Sequence, residues 1–182
     1  MKKQTVPFPR SYWVVSGKFL AGYYPGSRDP STAQKKLEGL LEHGVRHVIN
    51  LMEEHERNFS GETFVPYEQQ LENIAAKVDI PIKLVHMPIR DTDVPTVAGM
   101  VAILDEIDGA IQQNSCVYLH CWGGRGRTGT AVGCYLARHG VAVGEAALDL
   151  LSTLRQNDPI SHLASPETEI QAQFVCSWVK GT

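Results

Sequence analysis

The stretch that most constrains this chain is His120-Cys121-Trp122-Gly123-Gly124-Arg125-Gly126-Arg127-Thr128-Gly129. It sets a cysteine six residues ahead of an arginine, with three glycines between them. An apolar run, Cys116-Val117-Tyr118-Leu119, leads in, and a helix-like stretch from Thr130 to Arg138 leads out. Strand, tight loop and helix in that order aim several backbone N–H groups and a helix N-terminus at one point, which makes an anion site. A cysteine there sits in the same positive field, which favours its thiolate. An anion cradle that contains a nucleophile reads as a place where the bound anion is attacked. Phosphate-ester hydrolysis through a cysteinyl-phosphate is the chemistry that fits.

Each position in the loop has an expected task. Cys121 is the nucleophile, and Gly123, Gly124 and Gly126 let the backbone turn tightly with no Cβ in the way of a ligand. The N–H groups of residues 122 to 127, from Trp122 through Arg125 to Arg127, face the non-bridging phosphate oxygens. Arg127 closes the cradle with a planar two-pronged grip. The Thr128 hydroxyl donates to the Cys121 sulfur, and His120 holds the loop from the strand end. Trp122 reads either as packing under the loop or as a rim for an aromatic substrate. Arg125 reads either as a solvated loop residue or as a contact to an additional acidic group.

The pattern His-Cys, five residues, Arg-Thr-Gly resembles the signature loop of the protein tyrosine phosphatase superfamily. The segments Ser11 to Gly22, Gly44 to Leu51 and Ser165 to Gln171 are similar to those of small atypical dual-specificity phosphatases and occur in the same order. The resemblance implies a general acid about thirty residues before the cysteine, and Asp91 stands thirty residues before Cys121. A carboxylic acid there protonates the leaving oxygen and later deprotonates the hydrolytic water. Asp93 is the rival, and the residues alone leave the two open. Gln171 matches the family glutamine that orients that water, with Gln173 as a second candidate. The resemblance also implies a phosphoprotein substrate, phosphotyrosine first and phosphoserine and phosphothreonine besides. A phosphoinositide is the alternative, because related lipid phosphatases carry a lysine near Arg125, but here Trp122 stands where their other lysine would be. A non-catalytic phosphate-binding module on the same fold is the remaining reading, and it is expected to lack the cysteine, the arginine or the acid.

Other chemistries fit less well. Gly124 and Gly129 bracket four residues as in a nucleotide-binding P-loop, but Thr130 occupies the lysine position. The four cysteines form no C-x-x-C pair and the histidines no ligand spacing, so no metal and no cofactor are expected. Cys116, Cys134 and Cys176 read as small packing residues. A formal net charge of −3 without a basic stripe argues against nucleic acid as a partner. No apolar run approaches membrane-spanning length. The segment Met1 to Arg10 lacks the apolar core of a secretory signal, and a reactive thiol favours a cytoplasmic location.

The 182 residues read as one domain, 1–182, with alternating strands and helices. Strand character covers Ser11 to Ala21, Val45 to Leu51, Ile80 to Met87 and Cys116 to Leu119. Helices are expected over Asp29 to His43, Tyr67 to Lys77 and Thr96 to Gln113, and three further stretches after Gly129 show no strand pattern. Met52 to Pro66 reads as an exposed loop. The class is α/β, with a mainly parallel sheet flanked by helices and the reactive loop at the carboxyl end of a central strand.

Overall fold

All six residues of Cys116–Cys121 are buried, as expected of a strand covered on both faces and paired on both edges. In the computed structural model, which describes residues 5–182, this strand is the middle of a five-stranded sheet. The reading of the N-terminus falls partly on residues 1–4, outside the described residues.

The strands are β1 (Ser11–Val15), β2 (Phe19–Tyr23), β3 (Val45–Asn50), β4 (Lys83–His86) and β5 (Cys116–Cys121), in the spatial order β1-β2-β5-β3-β4. β2 and β3 flank β5 in parallel, β4 joins β3 in parallel, and β1 alone runs antiparallel, as the first arm of a hairpin with β2. The expected strand over Ile80 to Met87 is shortened at its start. Ile80 donates its N–H to Ala75 at the end of the preceding helix, and Pro81 has no N–H for a ladder.

Helices α1 (Pro30–Glu42) and α2 (Glu68–Lys77) pack on each other, with α1 also against β3. Helices α3 (Val97–Gln112), α4 (Arg127–Arg138), α5 (Glu145–Leu154) and α6 (Glu169–Ser177) form a second group around α4. The connection β2-α1-β3-α2-β4 advances one way along the sheet and β4-α3-β5 returns, so right-handed crossovers place the two groups on opposite faces. The caps match their residue types. Asp29 accepts from the Thr32 N–H with Pro30 at the first position of α1, and Thr96 accepts from Gly99 in α3. Thr168 and Gln171 complete a reciprocal capping box in α6. Among the described residues no helix is long and apolar enough to cross a membrane.

α4 starts at Arg127, three residues before the expected helix-like stretch, so Arg127 and Thr128 lie in its first turn. Every residue from Arg127 to Ala137 is buried. At Gly133 an added Cβ would stand 2.6 Å from Val175, which is how closely α6 lies on this helix.

His120 ties the end of β5 to α2. Its Nε2 lies 2.6 Å from the Tyr67 hydroxyl and its Nδ1 3.3 Å from the Cys121 carbonyl. Burial keeps the ring neutral, and with Nδ1 protonated towards the carbonyl, Nε2 accepts the Tyr67 hydrogen. Burial pushes its pKa down to about 3. The folded state therefore resists a proton that the unfolded chain takes up near pH 6.5. Stability should fall as pH drops from about 6.5 towards 3, by about 1.4 kcal/mol per pH unit from this residue. Urea titrations at pH 7, 5.5 and 4.5 check it: His120→Asn should flatten the acid limb, and an unchanged slope would show that His120 is not its source.

Candidate active site

Four strand ends meet at one end of the sheet. Leu51 donates its N–H to the His120 carbonyl (2.9 Å), Ile89 to Leu51 (3.1 Å), and Tyr24 to Trp122 (3.1 Å). The segments after β2, β3, β4 and β5 are thereby fixed side by side where open α/β sheets bind ligands. Between them lies a cavity of about 210 Å³ lined by Cys121, Trp122, Gly123, Arg125, Gly126, Arg127, Asp91 and Thr92, together with Arg10, Phe59, Ile160, Leu163 and Glu167. A larger cavity of about 570 Å³ beside the loop after β3 does not include the cysteine.

The loop from Cys121 to Arg127 joins β5 to α4. Gly124 adopts φ +66°, and a Cβ there would stand 2.5 Å from the Gly22 backbone, so both torsion and space require glycine. Gly123 differs from the expectation: a Cβ there meets nothing within 4 Å, and no close approach of backbone demands its small size. Cys121 is buried, and the Thr128 hydroxyl donates to its Sγ at 3.1 Å. The first turn of α4 thus supplies both Thr128 and Arg127 to the cradle.

Arg127 is 1% exposed and almost wholly engaged. Nη1 donates to Glu56 Oε2 (2.6 Å) and to the Ile89 carbonyl (3.1 Å), and Nη2 donates to Glu56 Oε1 (2.7 Å) and is ion-paired with Asp91 Oδ1 (2.9 Å). Burial works against its charge, but Glu56, Cys121 and Asp91 outweigh burial and leave the pKa raised. Nε, also buried, has no protein partner among the described residues.

Asp91 and Asp93 separate clearly. Asp91 lines the cavity and faces Arg127, whereas the Asp93 carboxylate accepts from the Val94 N–H at the turn. Gln171 is buried: Oε1 accepts from the N–H groups of Glu167 and Thr168, and Nε2 donates to the Asp93 carbonyl (3.1 Å). Thr168 donates its hydroxyl to the Thr92 carbonyl (3.2 Å), so the N-terminus of α6 holds the segment that carries Asp91. Gln173 instead donates to Glu169 on the surface. Arg125 is ion-paired with Glu167, which makes it neither a free solvated residue nor an uncommitted cation.

The loop after β3 is mostly exposed, as expected, but several of its side chains have partners at the site. Met52 is buried, Glu56 reaches Arg127, and Phe59 and Phe64 pack on Trp122 at ring-centroid distances of 4.4 and 5.6 Å. The signal for Glu56 lay in the acidic run Glu53-Glu54-His55-Glu56, directly after a strand ending at the ligand edge, because a buried arginine needs a counter-ion. Arg10 gave no such signal. Its guanidinium lies 4.6 Å over the Tyr23 ring and donates to the Gly123 carbonyl (2.7 Å), bracing the cradle from the N-terminal side. Among the described residues, no group of three or more His, Cys, Asp or Glu is placed to hold a metal ion.

The chain is 29% identical over 111 residues to an uncharacterised protein of Methanocaldococcus jannaschii, covering 57% of this chain and 65% of that protein. It thus spans about two thirds or less of the length of such archaeal relatives. Among solved structures, Tk-PTP in its active form superposes with a TM-score of 0.67 at 21% identity, covering 92% of this chain and 95% of the other. PTPMT1 in complex with PI(5)P gives 0.63 at 20% identity, covering 91% and 94%. These likenesses establish the shared fold. Residues 25–141, which include the cradle, Glu56 and Asp91, match the model of the family described as "Polymorphic toxin system, DSP-PTPase phosphatase", and the chain belongs to that family.

Proposed function

We propose that this protein hydrolyses phosphate monoesters through a cysteinyl-phosphate, with protein phosphotyrosine as the main substrate and phosphoserine and phosphothreonine as further ones. The observation that carries the reading is a single cavity shared by Cys121, Asp91 and an Arg127 whose buried Nε is unpaired. Nε and Nη2 form one edge of the guanidinium. A phosphate that displaces Asp91 from Nη2 gains both donors in the planar fork that suits it.

Cys121 Sγ attacks phosphorus, and the bond from phosphorus to the ester oxygen breaks. The freed oxygen takes a proton from the Asp91 carboxylic acid. Water then attacks the phosphocysteine, its proton passes to the Asp91 carboxylate, and the S–P bond breaks to return the thiolate and release inorganic phosphate. Thr128 stabilises the departing sulfur through its 3.1 Å hydrogen bond. Arg127 and the loop N–H groups stabilise the charge on the transferring group. Gln171 acts through the segment it holds, and its second Nε2 hydrogen, beside Gly126, is available to orient the water.

A phosphoinositide substrate is the second reading, favoured by Arg125 at the cavity and by the PTPMT1 complex among the structural relatives. The pairing of Arg125 with Glu167 weakens it, since the charge that would meet an additional phosphate is already neutralised. Competition of soluble inositol phosphates against a phosphotyrosine peptide separates the two.

Cys121→Ser should abolish release of nitrophenol from p-nitrophenyl phosphate with chelator present, while inorganic phosphate still binds. Substantial residual turnover would exclude the thiolate route. Asp91→Asn should slow esters with poor leaving groups by about 10²- to 10⁴-fold and those with good leaving groups far less. If Asp93→Asn gives that pattern instead, the acid is Asp93. Glu56→Ala frees Arg127 from its two-point hold, and turnover should fall by about 100-fold with weaker inhibition by inorganic phosphate. Wild-type kinetics in this variant would show that Arg127 keeps its place without Glu56.

A further inference from the structure

The cavity over Cys121 has an outer tier with a different chemistry. Beside polar Arg10, Asp91, Thr92 and Glu167, its lining has an apolar part: the rings of Phe59 and Trp122 and the aliphatic side chains of Ile160 and Leu163. Phe59 is 92% exposed, the highest value among the exposed large apolar residues described. Its ring meets Trp122 edge-on at 60°, and Trp122 directly follows the cysteine. The two rings thus form one aromatic wall of the cavity that Cys121 also lines.

The aliphatic wall comes from the segment after α5, a helix that packs against α4 and β1, whereas Phe59 follows β3. β1 and β3 lie on opposite sides of β5, so the two walls approach the cradle from different flanks. The aliphatic wall is fixed from beneath. Buried Arg155 donates to the Leu163 carbonyl (3.2 Å) and faces Asp158 (3.4 Å). Asp158 accepts from the Ile160 N–H (3.0 Å), and the Ser165 hydroxyl ties the segment to the Arg125 carbonyl (2.8 Å).

Exposed apolar side chains at the mouth of a polar site gain free energy when a ligand covers them. Here the ligand's position is set by its phosphate, because the group attached through the ester oxygen lies just outside the cradle. An aryl group is flat, rigid and apolar, and meets Phe59 and Trp122 as rings prefer to meet. The short alkyl carbon of serine or threonine leaves the walls uncovered and brings the polar peptide backbone against them. We propose that Phe59, Trp122, Ile160 and Leu163 form an aryl-binding mouth, and that Phe59 is a specificity-determining residue which sets the preference for phosphotyrosine over phosphoserine and phosphothreonine. The proposal rests on the cradle reading above for the position of the phosphate.

Two sequence-matched peptides, one with phosphotyrosine and one with phosphothreonine, test it. Turnover is read in the wild-type background and binding in the Cys121→Ser background. Phe59→Ala and Leu163→Ala should each lower the phosphotyrosine-to-phosphothreonine ratio about five-fold in both readouts, as expected for loss of an aromatic or packing contact. Phe59→Tyr should retain the ratio, as should Val78→Ala, which removes an exposed apolar side chain outside this cavity. A ratio in Phe59→Ala equal to the wild-type ratio overturns the mouth. If the wild type turns over neither peptide but Cys121→Ser binds with a Phe59-dependent preference, the mouth stands and the hydrolase reading falls. Failure to bind either peptide overturns both.

Discussion

A buried guanidinium organises this molecule. Arg127 leaves water at the first turn of α4 and survives burial because two other segments bring it oxygen atoms: Glu56 after β3, and the Ile89 carbonyl and Asp91 after β4. A charge taken out of water must be matched this fully, or it unfolds its surroundings. The converse also holds. Those segments are long and irregular, and the arginine is the group on which they converge. Packing of α4 in the middle of its helical layer fixes the position of the guanidinium, and the guanidinium in turn fixes the loops.

The sheet supplies the frame for that exchange. Two parallel neighbours hold β5 along its length, and its last residue is Cys121, the proposed nucleophile. His120, one residue earlier, is neutral and bonded at both ring nitrogens, to Tyr67 and to the Cys121 carbonyl. A charged histidine there would place a second buried cation near Arg127, and the low dielectric would make that repulsion severe. Neutral imidazole satisfies the strand end without that penalty. Positive charge close to the sulfur thus comes from the arginine and the helix N-terminus, the groups proposed to hold the phosphate as well.

The legible parts of this architecture were those with local causes. Helix α1 announces itself through Asp29 and Pro30, and α3 through Thr96 and apolar spacing. The cradle was legible because glycine, cysteine and arginine have few other reasons to share so short a stretch. Asp91 and Asp93 were inseparable because both sit on one turn, and only the fold shows which carboxylate points inward and which caps Val94. Glu56 and Phe59 were hidden for another reason. A polar, glycine-containing stretch looks solvated until a distant partner claims it, and their partners, Arg127 and Trp122, are more than sixty residues away. Arg155 escaped notice likewise, since a lone arginine at a helix end gives no sign that it will be buried beneath a loop.

The two tiers of the cavity differ in what holds them. The cradle depends on backbone torsion at Gly124, on a buried ion pair and on strand ends stitched to one another, so few substitutions there leave it standing. The outer walls hang on side chains whose removal disturbs little else: Phe59 projects into solvent, and Leu163 is partly exposed. Chemistry and selectivity are therefore mechanically separable. Arg155 and Asp158 hold the aliphatic wall by its backbone, and the capping box of α6 holds the segment bearing Asp91 by its carbonyls. Supports of that kind fix where a side chain stands without dictating which side chain it is. Under the proposed function, a fold built this way can change the organic group it accepts by substitution at the mouth while the phosphate site beneath stays the same.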